Sequence, residues 1–288
     1  MKNIGTIRST KDILMQQNFR IKKHFGQNFL VDPNILEKIA DQAGLSPRTD
    51  VIEIGPGFGA LTEILLPRSR RLLAYEIDKE LIPILNGQLG KRDNFILQNQ
   101  DVLDIDIDRD IEKYLPDAEE VIVVANLPYY ITTPILMRFL ETSRRVTRMI
   151  VMMQAEVADR VTSRLDTKDY NALSIVINYR AQTRILFQVP RTVFIPPPNV
   201  DSTVVEVRVR TEIAEKPADE SRFFTLVHQC FAQRRKTLLN NLRQALPGLS
   251  RAEIEQLLAE CDIPLDIRAE ALDIPDFIRL SNGVTART

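Results

Sequence analysis

The chain has 288 residues, 44% of them apolar and 27% charged, with a net charge of −1 at neutral pH. That leaves room for one large domain and a small one, with a composition ordinary for a soluble protein. No stretch approaches the ~18 apolar residues of a membrane span, and Cys230 and Cys261 lack the spacing of a disulfide frame or a zinc site, as suits a reducing cytoplasm.

The first thirty residues are basic and acid-poor, as in a transit peptide, but they lack the apolar core of a secretory signal. The segment "KKHFGQNFLVDPNIL" already reads as ordered, so these residues are taken as part of the mature protein. From residue 50 short apolar runs alternate with helical periods. "DVIEIG" predicts a buried strand and "ALTEILLPRS" a helix, and "RLLAYEID" with "ELIPILNGQL" repeats the pair. "NFILQNQD" and "EVIVVANLP" are the next strands, on either side of a segment (101–120) with nine acids against Arg109 and Lys113. "ILMRFLET" predicts a helix, "RMIVMMQ" a fifth strand and "QAEVADRVTSR" another helix. The alternation implies an α/β fold, a parallel sheet with helices on both faces.

Farther along, "LSIVINYRAQTRILFQVP" and "STVVEVRVR" alternate with period two and predict edge-like strands. Residues 171–200 hold Arg180, Arg184 and Arg191 without an acid. "TEIAEKPADE", residues 211–220, has no apolar period and predicts a linker. Phe224, Val227, Phe231, Leu238 and Leu242 then keep to one face of a predicted helix. Its stretch "HQCFAQRRKTLLNNLR" carries four basic side chains and again no acid. Ser250 with Glu253, and Asp273 with Asp276, open two further helices. A neutral total thus conceals one-signed faces of the kind that meet a polyanion, although solvated helix faces share that composition.

Chemistry concentrates at the strand ends. Gly55, Gly57 and Gly59 in "EIGPGFGALT" let the backbone turn and approach a nucleotide without a Cβ in the way. Gly55, Gly57 and Ala60 also satisfy the dinucleotide fingerprint, so the loop alone leaves a nicotinamide enzyme open. Glu76 ends the second strand, where a carboxylate can accept from both hydroxyls of a ribose. Asp101 ends the third, where it can accept from an adenine amino group.

The stretch "VVANLPYYITTPI", residues 123–135, discriminates further. The side-chain oxygen of Asn126 and the carbonyl of Leu127 can both accept from the exocyclic amine of an unstacked adenine. Pro128 holds the chain extended there, and Tyr129 offers a stacking face. An amine held by two acceptors keeps its lone pair for an electrophile, which suits methyl transfer and serves no hydride transfer. A plain strand-end turn over core tyrosines would use the same four residues.

Asn-Leu-Pro-Tyr at this distance behind Glu-x-Gly-x-Gly-x-Gly resembles the ribosomal RNA adenine N6,N6-dimethyltransferases, above all their bacterial small-subunit branch. "KHFGQNFLVD" (23–32) is similar to that family's cofactor segment, which implies cofactor contacts from Asn28 and Leu30. "FIPPPNVDSTVV" (194–205) resembles its late motif, whose aromatic, here Phe194, would face the base opposite Tyr129. "FAQRRKTLLNNL" (231–242) resembles a basic helix, which implies RNA contacts from Arg234, Arg235 and Lys236. The likeness runs over roughly residues 22 to 275, and the "RAEAL" segment favours the small-subunit enzymes over relatives that modify the large subunit.

The resemblance implies a Rossmann-like class I methyltransferase domain, 1–210, and a small all-α RNA-binding domain, 211–288. It implies S-adenosylmethionine held by Asn28, Leu30, Gly55, Gly57, Glu76, Asp101 and Asn126. Catalysis would fall to Asn126, Leu127, Pro128, Tyr129 and Phe194, with no metal, and His24 and His228 would be structural or RNA-facing. The expected substrate is a pair of adjacent adenosines in a hairpin near the 3′ end of 16S rRNA, inside an immature 30S subunit. A cytoplasmic monomer without membrane contact is expected. Two other classes fit some of these features: a nicotinamide oxidoreductase and a non-catalytic RNA-assembly protein.

Overall fold

Side-chain caps set the starts of the first two helices. Thr6 caps helix α1 (Ile7–Gln16), and a two-residue strand, β1 (Phe29–Leu30), precedes helix α2 (Pro33–Ala43). Asp32 accepts from the N–H groups of Asn34 and Ile35, Pro33 takes a first-turn position that needs no donor, and Gly44 ends the helix in the left-handed conformation. The computed structural model describes residues 4–22, 25–163 and 170–287, so His24 lies outside the described residues.

The expected alternation follows. It runs β2 (Thr49–Ile54), α3 (Ala60–Leu65), β3 (Arg71–Tyr75), α4 (Leu81–Leu89) and β4 (Phe95–Gln98). It continues with α5 (Ile107–Tyr114), β5 (Glu120–Asn126), α6 (Thr132–Thr142), β6 (Val146–Gln154) and α7 (Ala155–Val161). After α8 (Ala172–Arg180) come β7 (Ala181–Val189), β8 (Phe194–Ile195) and β9 (Ser202–Val209). Helices α9 (Glu220–Cys230), α10 (Leu238–Ala245), α11 (Arg251–Glu260) and α12 (Ile274–Thr285) complete the chain.

Two units divide these elements: Met1–Ala158 with Thr183–Val209, and Asp159–Gln182 with Arg210–Thr288. The first holds a seven-stranded sheet in the order β4-β3-β2-β5-β6-β9-β7. The pairs β2–β3, β3–β4, β2–β5 and β5–β6 are parallel, and β6–β9 is antiparallel. Every residue of β2 is buried, as a central strand covered on both faces must be. The chain winds outward from β2 in both directions, so the sheet's topological switch point lies between β2 and β5. That is where α/β sheets place their ligand crevice. β1 and β8 pair separately, with Leu30 opposite Phe194.

Three expectations need correction. "LSIVINYR" is helix α8, not a strand. Asn171 and Ser174 form a capping box at its start, and burial on nearly all sides hides the helical period. Next, the predicted helix through Phe231 and Leu238 is broken into α9 and α10. Thr237 caps α10 by accepting from the N–H of Asn240, and the buried Asn241 amide donates to the Cys230 carbonyl at 2.7 Å, closing the turn between them. Finally, the basic run at 171–200 is not a bare positive face. Arg180 pairs with Glu220 at 3.2 Å and Arg184 with Glu206 at 3.1 Å. The acids are distant in sequence, which is why the run reads as unpaired.

The second unit takes up residues 159–182 as well as 210–288, which a single cut at 210 does not describe. The Tyr179 ring packs 4.9 Å from that of Phe223, and its hydroxyl donates to Glu220 at 2.9 Å. Both predicted capping boxes, Ser250–Glu253 and Asp273–Asp276, form. Cys230 and Cys261 are free and buried. No described helix is long and apolar enough to cross a membrane.

Candidate active site

The carboxyl ends of β2, β3 and β5 open onto one cleft, bordered by Asn28, Leu30, Gly55, Glu76, Asp101 and Asn126 among others. The glycine loop that floors it is left-handed at Gly55, Gly57 and Gly59, with φ of +65°, +61° and +86°. A Cβ on Gly57 would stand 3.1 Å from the Phe29 ring, and one on Gly59 would stand 2.8 Å from Leu89. Both the conformation and the space therefore require glycine. We expect Gly57→Ala to push the loop off Glu76 and weaken ligand binding at the cleft about tenfold, the effect of one hydrogen bond to a charged group. Calorimetric titration with cofactor measures it.

Glu76 is buried at the end of β3. Its two oxygens accept from the N–H of Asp78 at 2.9 Å and from that of Gly57 at 3.2 Å. Burial pushes its carboxyl up to about 7 against those two hydrogen bonds. Asp101 is half-buried, with one oxygen accepting from the Leu103 N–H at 3.0 Å and the other free of described partners. Asn28 precedes β1. Ahead of it Gln27 and Lys22 both donate to the buried Asp78, at 2.8 and 2.6 Å, and fasten the segment to the loop after β3.

A second carboxylate lies in the same cleft. Glu53 sits inside β2, fully buried, and burial raises it to about 8, with the Glu76 charge adding to the rise and the Thr62 hydroxyl opposing it. Its Oε2 has no hydrogen-bond partner among the described residues. Raised to about 8, the group is mostly a neutral acid at pH 7, and its oxygen is one of the few buried polar atoms left without a partner among the described residues. The sequence carried a signal for it: one acid inside the apolar run "VIEI". Tyr130 was also passed over. It is 51% exposed, borders the cleft and covers Gly26 so closely that a Cβ there would lie 3.1 Å from the ring.

The end of β5 carries Asn126, with Leu127 and Pro128 directly after it. The Asn126 amide nitrogen donates to the Asn28 carbonyl at 3.2 Å. A carbonyl can only accept, so the amide is oriented with its oxygen turned away and unpaired. The Leu127 N–H is used by the Met152 carbonyl at 3.0 Å, whereas no described donor reaches the Leu127 carbonyl. The Pro128 carbonyl is occupied, by the N–H of Ile131 and the hydroxyl of Thr132 at 3.0 Å. Two free acceptors therefore remain, Asn126 Oδ1 and Leu127 O. Tyr129 borders the cleft with its hydroxyl fixed to that of Ser202 at 2.7 Å, which locks the ring.

Phe194 is not among the residues bordering the cleft. It is 2% exposed, pairs with Leu30 across the β1–β8 ribbon and belongs to the core. Arg234, Arg235 and Lys236, expected on a basic helix, are exposed and lie in the turn between α9 and α10. Arg234 has an acid beside it, Glu270 at 3.6 Å, brought close by the fold. His228 is exposed in the last turn of α9.

A family model described as "Ribosomal RNA adenine dimethylase" matches residues 18–283. A "Ribosomal RNA small subunit methyltransferase A" of Bacillus pumilus is 47% identical over 283 residues, 98% of this chain and 97% of its own. One of the same name from Lactococcus lactis is 47% identical over 281 residues, 98% and 96% of the two chains. The solved structure of the 23S rRNA methyltransferase ErmE is 27% identical with a TM-score of 0.60, covering 90% of this chain and all of that one. A dimethyladenosine transferase from Plasmodium falciparum has the same fold, with a TM-score of 0.67 at 24% identity over 86% of this chain and 94% of that one. The match over nearly the whole chain, added to a glycine loop, a buried strand-end carboxyl and two free acceptors in one cleft, makes this protein a methyltransferase of the ribosomal RNA adenine dimethylase family.

Proposed function

We propose that the protein transfers methyl groups from S-adenosylmethionine to N6 of two adjacent adenosines near the 3′ end of 16S rRNA, within an immature 30S subunit. The observation that carries the target chemistry is the pair of unpaired acceptors, Asn126 Oδ1 and Leu127 O, at the mouth of a nucleotide cleft. The small-subunit target is taken from the names of the relatives from Bacillus pumilus and Lactococcus lactis. A monomer working in the cytoplasm agrees with this reading.

Bound in the cleft, the sulfonium cofactor supplies a methyl group already activated for attack. Glu76 would accept from the ribose hydroxyls, Asp101 from the adenine amine, and Glu53, ionising on binding, would meet a cationic group. Asn28, Leu30, Gly55 and Gly57 shape the walls. Asn126 and Leu127 hold the target amine by its hydrogens, which opposes delocalisation of its lone pair into the ring. The amine nitrogen would take the methyl group, the cofactor would leave as a neutral thioether keeping the electrons of its S–C bond, and the amine's proton would pass to water. Pro128 keeps the Leu127 carbonyl directed, and Tyr129 stacks on the base. Phe194 lies in the core and supports the β1–β8 ribbon rather than meeting the base. Rate comes from positioning and from acceptors fixed in advance.

Labelled cofactor and unmethylated 30S particles test this reading, followed by mapping of the modified base. Dimethyladenosine is the expected end product, with monomethyladenosine visible early and then consumed. After one transfer the amine has one hydrogen left for two acceptors, and stacking, which methylation does not weaken, must hold it. Monomethyladenosine persisting under excess cofactor would contradict this.

The RNA role of the second unit rests on Arg234, Arg235 and Lys236. Reversing all three charges is expected to lower the slope of log affinity against log salt by up to about 2–3, since each lost phosphate contact removes roughly 0.7–0.9. An unchanged slope would make them a solvated turn.

A further inference from the structure

In the second unit, the turn between α9 and α10 and the exposed face of α10 form an open surface pocket of about 280 Å³. Its lining is Gln233, Lys236, Asn240, Arg243 and Gln244: two cations, three amides and no carboxylate. The scaffold beneath is fixed, because the buried Asn241 amide donates to the carbonyls of Cys230 and Gln233 at 2.7 and 3.3 Å. The amides are also oriented. Gln233 Nε2 donates to Gln244 Oε1 at 2.7 Å, which leaves an oxygen on Gln233 and an NH₂ edge on Gln244. Asn240 Nδ2 donates to the Thr237 hydroxyl at 2.9 Å, which leaves its oxygen.

A site for phosphate alone needs donors only. This one pairs its cations with two free acceptors and an amide donor, the complement of the Watson–Crick edge of an unpaired base, which mixes donors with acceptors. Its volume is near the lower end for ligand pockets, enough for one nucleoside and too small for a duplex. We propose that this pocket takes a single unpaired nucleotide of the RNA, Lys236 and Arg243 holding its phosphate and the Gln233–Gln244 pair with Asn240 reading its base. The proposal rests on the rRNA reading above but concerns a nucleotide other than the one methylated.

The test is binding of single variants to unmethylated 30S particles across a salt series, with chemical probing of the bound RNA. Lys236→Gln is expected to reduce the salt slope by about 1, as one lost phosphate contact does. Gln244→Ala and Gln233→Ala are expected to weaken binding about five- to tenfold at every salt concentration, with the slope unchanged. One unpaired base should be shielded by the parent and reactive with Gln244→Ala. These side chains are exposed, so folding is unaffected and circular dichroism verifies it. Parental affinity in both glutamine variants, or no base whose reactivity changes, would overturn the proposal and leave phosphate contacts only. Methyl transfer by the parent in the same particles is scored separately. Its absence would defeat the proposed reaction without touching the pocket.

Discussion

Asn126→Ala is expected to lower the rate of methyl transfer on bound RNA by about 10²–10³, the cost of removing one preorganised acceptor or donor at a reacting centre. The reason lies in how the side chain is held. Its nitrogen is committed to the Asn28 carbonyl, so only its oxygen is left for the target amine. Truncation removes that acceptor and leaves the Leu127 carbonyl alone, too little to hold both hydrogens of an unmethylated amine. It also frees the Asn28 carbonyl, so a modest loss of cofactor affinity, about threefold, is expected beside the large rate effect. Single-turnover kinetics at saturating cofactor separates the two. A parental rate there would remove Asn126 from the chemistry.

Most of the catalytic unit was legible in the sequence because its signals are local. Gly55, Gly57 and Gly59 stand together in one short loop and are left-handed there, although the side chains that crowd Gly57 and Gly59, Phe29 and Leu89, come from elsewhere in the chain. In the helical unit Ser250 and Asp273 likewise betray their helices through acids three residues on. What stayed hidden was non-local. Arg184 and Glu206 are 22 residues apart and meet only through the sheet, and Arg234 finds Glu270 only when the helical unit folds. The α8 segment "LSIVINYR" misled for a different reason: buried on nearly every side, it shows neither period cleanly. Phe194 belongs to the motif that suggested a base contact, yet pairing with Leu30 turns its ring into the core. Glu53 could have been noticed, since an acid in a strand with no exposed face needs a partner.

Glu76→Ala is expected to weaken S-adenosylmethionine binding about 10- to 150-fold, equivalent to 1.5–3 kcal/mol for hydrogen bonds to a charged group. Thermal unfolding of the ligand-free protein should change little, because two opposed effects meet at this residue. The N–H groups of Gly57 and Asp78 lose their acceptor, while a buried charge is relieved. The same burial makes affinity depend on pH. With its carboxyl raised to about 7, Glu76 is largely protonated at pH 6 and accepts poorly from ribose hydroxyls, whereas at pH 8 it is largely ionised. Affinity for the cofactor should therefore rise about tenfold from pH 6 to pH 8, the ratio given by one group titrating at the midpoint. Stability of the ligand-free chain runs the other way. A carboxyl whose folded value lies above its unfolded one contributes stability below the ordinary carboxylate range and loses it as pH rises through about 7. Glu53, raised to about 8, extends that loss upward. Melting temperature should accordingly fall between pH 5 and pH 8.5 without cofactor and fall less with it, because binding favours the ionised forms that folding disfavours. Titration calorimetry at pH 6, 7 and 8 on the parent and on Glu76→Ala decides the matter: a parent whose affinity is flat across that range would show that Glu76 does not hold the ribose as a carboxylate.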